Sequence, residues 1–60
     1  MLKDRRLSKY MTQEELAKRV GVKRTTVTMW ENGHSKPTVP TAKKIAEVLG
    51  FDWTELFQEV

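Results

Sequence analysis

The chain has 60 residues, 38% apolar and 32% charged, with three Gly, two Pro and no Cys. That length holds one small domain over residues 1–60 with a modest core and excludes a second domain, and the lack of Cys excludes disulfides and a Cys-ligated zinc. The formal charge of +3 divides unevenly: residues 1–44 carry all 11 Lys and Arg against Asp4, Glu14, Glu15 and Glu31, a net +7, whereas residues 45–60 carry Glu47, Asp52, Glu55 and Glu59, a net −4.

The charged start Met1-Leu2-Lys3-Asp4-Arg5-Arg6 has no apolar stretch behind it, so it does not read as a secretory signal. No apolar run approaches the roughly 18 residues that span a bilayer, and a soluble intracellular protein is expected. Turn and cap residues then divide the chain into five short segments, each predicted helical. The first runs from about Leu2 to Lys9 and ends near Tyr10, where Gly would be the usual residue. Thr12-Gln13-Glu14-Glu15 has the form of a capping box, in which a Thr hydroxyl accepts from the amide three residues on and the Glu carboxylate reaches back. It opens a second helix over about 13–20, with Leu16, Ala17 and Val20 at helical spacing and Gly21 as its stop.

Gly21-Val22-Lys23 leads into a third helix over about 24–31. Thr25, Thr26, Val27 and Thr28 lower its helix propensity, and a β-strand is the rival on propensity alone. As a helix it turns Val27 and Trp30 to the core and points Arg24, Thr25, Thr28 and Met29 elsewhere. Gly33-His34-Ser35-Lys36-Pro37 is a polar loop. Thr38 can cap a fourth helix that tolerates Pro40 in its first turn, carries Ala42, Ile45, Ala46 and Leu49 as an apolar stripe, and closes at Gly50. Asp52 with Glu55 is a second capping pattern, opening a last helix with Trp53, Leu56 and Phe57 on its apolar face. The expected fold is all-α, a compact bundle of five short helices.

A capped helix, a tight Gly turn and a second helix of about eight residues make a helix-turn-helix. Thr12-Gln13-Glu14-Glu15-Leu16-Ala17, Gly21-Val22, Trp30-Glu31-Asn32-Gly33, Lys36-Pro37, Ile45-Ala46 and Leu49-Gly50 stand in order along nearly the whole chain. Together they resemble the lambda-repressor-like (Cro/repressor, Xre-type) helix-turn-helix DNA-binding domain family. Any one piece is only moderately specific; the series is strong.

The resemblance implies a sequence-specific DNA-binding transcriptional regulator, a repressor of prokaryotic or phage type. It would be cytoplasmic and nucleoid-associated, and would bind a palindromic operator as a dimer through the major groove. An α-helix fits that groove and can tell base edges apart there. By the family's pattern, the base-reading positions are Arg24, Thr25 and Met29, with Thr28 nearby. Arg24 suits a bidentate contact to guanine, and Thr25 and Met29 suit thymine methyls. Gln13, at a helix N-terminus whose free amides favour anions, is the expected anchor to the DNA backbone. Lys23 stands where the family often has Ser or Thr; it is expected to contact phosphate and to forfeit a side-chain cap. Asn32 and Lys36 are further phosphate candidates, and Thr41 and Lys43 weaker ones.

Arg6 and Glu31 match the family's structural ion pair between the first and third helices, and Trp30 is expected in the core and not as a ligand. The first helix departs from the pattern: Arg5 replaces an apolar residue and Tyr10 replaces Gly. Either Leu7 compensates, or Arg5 lays its stem along the core.

Other classes are poorly supplied. The single His34 lies in a loop, and there is no acid pair at a useful spacing and no Gly-rich phosphate loop. Neither a metal nor a cofactor is expected, and catalysis, a small-molecule substrate and a membrane partner are likewise not expected. The alternative is a DNA-binding antitoxin or a protein-interaction module on the same fold. A pure interaction domain would have a neutral third helix, against which Lys23 and Arg24 stand. Phe51, Trp53 and Phe57 are candidate dimer contacts or core, with core favoured for Phe57.

Overall fold

The computed structural model describes residues 2–57. Its order is α1 (Leu2–Ser8), α2 (Gln13–Val20), α3 (Arg24–Glu31), α4 (Val39–Leu49) and a terminal 3-10 turn (Trp53–Phe57). The described residues contain no strand, so the β-branched run 25–28 is helical. Tertiary burial of Val27 overrides its propensity. Glu59 lies outside the described residues.

The capping box at α2 is formed in both directions: the Glu15 amide donates to Thr12 Oγ1 and the Thr12 amide to Glu15 Oε1, each at 3.1 Å. At the other end Gly21 takes a left-handed φ of 87°, and the amides of Gly21 and Val22 both reach the Ala17 carbonyl, at 2.8 and 2.9 Å. That closure swings the chain through three residues into α3, which Lys23 opens without a side-chain cap. Tyr10 holds the equivalent place after α1, with φ 55° in a region that disfavours side chains with a Cβ. Its side chain is 95% exposed.

The core joins Leu2 of α1 and Met11 to Leu16, Ala17 and Val20 of α2, Val27 of α3, and Ala42, Ile45, Ala46 and Leu49 of α4. Leu16, Val27 and Ile45 are its fully buried large side chains. Trp30, Val48, Phe51 and Leu56 pack against it from the periphery.

Three local expectations need correction. Thr38 opens α4 in extended conformation but makes no side-chain cap; its hydroxyl lies 3.1 Å from that of Thr41, and Pro40 offers no N–H in the first turn. The last segment is a five-residue 3-10 turn and not a fifth α-helix. Asp52 Oδ1 accepts from the amide and hydroxyl of Thr54 at 3.0 and 2.8 Å, while the Glu55 carboxylate bonds Arg5 in place of closing a capping box. One turn without that closure gains little from helical cooperativity. Phe57 is half-buried and sits edge-to-face on Trp53, ring centroids 6.0 Å apart, and Leu56 packs against the core.

Arg5 is accommodated by its own side chain. Its guanidinium lies 4.8 Å from the Phe51 ring centroid and pairs with Glu55, whereas Leu7 remains 49% exposed and fills no gap. A cation stacked on an aromatic face replaces the apolar contact.

Candidate nucleic-acid interface

At about 100° per residue, α3 separates its residues into two arcs. Val27 is buried and Trp30 packs beside it against the core. Arg24, Thr25 and Met29 lie on the opposite arc and are exposed, Met29 to 45%. Thr28 lies between them, half-buried. Exposed Lys23 precedes the helix and exposed Asn32 caps its far end, with its amide donating to the Thr28 carbonyl at 3.0 Å. One side of a short helix thus presents a cation at its start, two hydroxyl-bearing positions and a thioether.

Gln13, the first residue of α2, comes to this surface because the tight turn folds α2 onto α3. It lines one shallow cleft with Thr12, Glu14, Arg6 and Arg24. Lys36 lines a second cleft with Leu2, Trp30, Glu31, Pro37 and Glu55. Lys43 extends over the Trp53 ring, 5.3 Å from its centroid, and the Thr41 hydroxyl lies 3.1 Å from that of Thr38.

Behind the surface, Arg6 forms a two-point pair with Glu31: Nε donates to Oε2 at 2.7 Å and Nη2 to Oε1 at 3.2 Å. Arg6 Nη1 donates to the Met11 carbonyl at 2.7 Å. Gln13 Nε2 donates to Glu31 Oε1 at 3.1 Å, and Thr28 Oγ1 donates to Gln13 Oε1 at 2.9 Å. Among the described residues every buried side-chain N and O atom has a hydrogen-bond partner. Burial alone would raise the Glu31 carboxyl, but hydrogen bonds from Arg6 and Gln13 outweigh it and hold the group below its ordinary range. The bond from Glu31 holds Arg6 above its ordinary value, against the opposing effect of burial.

The family resemblance pairs Arg6 with Glu31, but the bonds to the Met11 carbonyl and between Thr28 and Gln13 have no sequence signal. They depend on the angle at which α1 and α2 cross α3. Among the described residues no cluster of His, Asp or Glu is arranged to hold a metal ion, and no helix is long and apolar enough to cross a membrane.

A helix-turn-helix family model matches residues 2–56. The chain is 54% identical over 59 residues to an uncharacterized HTH-type transcriptional regulator, YqaF, of Bacillus subtilis, covering 98% of this chain and 78% of that protein. It is 45% identical over 56 residues to an uncharacterized HTH-type transcriptional regulator of Archaeoglobus fulgidus, covering 93% and 79%. It is also 36% identical over 52 residues to the ImmF control region 10 kDa protein of Bacillus phage phi105, covering 87% and 58%. No solved structure matches the chain significantly.

Proposed function

The chain belongs to the helix-turn-helix family of Cro/C1-type DNA-binding transcription regulators, and on that premise we propose that it is a sequence-specific repressor. In this reading α3 enters the major groove of a palindromic operator. Arg24 pairs with a guanine, Thr25 and Met29 meet thymine methyls, and Gln13, Lys23, Asn32 and Lys36 contact phosphates. The observation that carries the reading is the exposed arc of Arg24, Thr25 and Met29, bordered by Lys23 and by the Gln13 cleft. Similarity to a phage protein named for a control region supports the regulatory sense.

A single α3 reads only a few base pairs, so two copies on half-sites about one helical turn apart would provide the needed specificity. Cytoplasmic, nucleoid-associated localisation follows from the same reading, as does the lack of an enzymatic role.

Selection of bound sites from random DNA, followed by affinity measurements across a salt series, tests the proposal. A defined palindromic consensus and a steep fall in affinity with salt are expected. No binding at low salt, or a flat salt response, would overturn it. A sedimentation mass of one protomer both free and on DNA would overturn the dimer.

A further inference from the structure

The polar chain behind α3 has a fixed direction. A guanidinium can only donate, so Glu31 accepts from Arg6. Glu31 Oε1 also faces Gln13, which turns the amide nitrogen toward the carboxylate and Gln13 Oε1 toward Thr28. An amide oxygen can only accept, so the Thr28 hydroxyl hydrogen is directed to it at 2.9 Å. The other acceptor within reach of that hydroxyl is the Arg24 carbonyl at 3.2 Å. A hydroxyl has one hydrogen, and both acceptors keep it inside the protein. Thr28 has no donor left to offer.

We propose that Thr28 is a positioning residue for Gln13 and not a base contact. Its hydroxyl fastens the Gln13 amide to α3, and the second hydrogen of Gln13 Nε2 becomes the donor that the pair presents to a DNA phosphate. The inference rests on the DNA-binding reading above. A free Gln side chain loses much rotamer freedom on binding; held at both ends of its amide, by Glu31 and by Thr28, Gln13 has lost that freedom beforehand.

The test compares wild type, Thr28→Val, Thr28→Ser, Gln13→Ala and the double variant Gln13→Ala/Thr28→Val. Each is titrated against a selected operator duplex and a random-sequence duplex of equal length, well below its melting temperature. Thr28→Val is expected to weaken both duplexes alike by about 3–10-fold, the range of one hydrogen bond. Thr28→Ser should restore most of that loss, and Thr28→Val should add nothing in the Gln13→Ala background. If Thr28→Val folds poorly, Thr28→Ala also removes the hydroxyl and carries the same expectations. A changed base preference at one position, an equal loss in the Gln13→Ala background, or unchanged affinity would each overturn the inference. Failure of wild type to bind either duplex would instead overturn the DNA-binding reading itself.

Discussion

Arg6 and Glu31 grip each other through two hydrogen bonds across 25 residues of chain, with side chains only 8% and 3% exposed. The pair fastens α1, which contributes only Leu2 and Arg6 as buried residues, to the end of α3. A buried pair of this kind contributes less than its removal suggests, because loss of one member strands the other charge. Arg6→Ala or Glu31→Ala is expected to lose about 3–5 kcal/mol, against a total of roughly 3–9 kcal/mol for a domain of this length. Either variant should be largely unfolded near 37 °C by circular dichroism. Arg6→Lys should not rescue the fold, since an ammonium cannot span both carboxylate oxygens and the Met11 carbonyl. Arg6→Met combined with Glu31→Leu should melt above either alanine variant.

Acid should weaken the fold in a defined window. Glu31 is held below its ordinary range in the folded chain, so its contribution is complete above the unfolded value of about 4.3 and is lost as pH falls through the lower folded value. Glu15 and Asp52 are displaced in the same direction, by bonds from Thr12 and Thr54 respectively. Urea midpoints should therefore change little between about pH 7 and 5 and fall below about pH 4. Glu31→Gln should be less stable at neutral pH and show a shallower acid decline. An acid profile identical to wild type would remove Glu31 from this account.

Tyr10→Gly is expected to stabilise the protein. A left-handed backbone costs an L residue roughly 1–2 kcal/mol, and the greater unfolded-state freedom of Gly takes back roughly 0.5–1. The Tyr10 side chain is almost wholly exposed, so little packing is lost. A gain of about 0.5–1 kcal/mol should raise the melting temperature by a few degrees. A lower melting temperature would mean that Tyr10 makes a stabilising contact outweighing its backbone strain.

Arg24→Ala and Lys36→Ala should separate base reading from phosphate binding. Arg24→Ala is expected to weaken operator binding by about 1–3 kcal/mol and relax preference at one base pair. Lys36→Ala should weaken all sequences alike and reduce the salt slope by about one. An Arg24→Ala protein with unchanged preference in site selection would refute the assignment.

Much of the fold was legible because its signals are local. The capping box at Thr12, the stop at Gly21 and the 3.6-residue recurrence of Leu16, Ala17, Val20 and of Ala42, Ile45, Ala46, Leu49 each lie within one helix or at its end. The last segment departs from its local pattern because its outcome depends on a distant partner. Glu55 is placed to close a capping box on Asp52, yet Arg5 takes its carboxylate from the other end of the chain. Met11 joins the core without a sequence signal, since a lone apolar residue between two helices has no period to announce it.

By itself the sequence determined α2, its capping box and Gly stop, and the apolar stripe of α4, because capping and periodicity act within a few residues. Only the tertiary structure decided how the polar side chains are used. Arg5 stacks on Phe51, Leu7 stays in solvent, and the Thr28 hydroxyl faces Gln13. The physical reason is that hydrogen bonds and ring contacts require partners within a few ångströms, and those partners lie 15 to 50 residues apart along the chain.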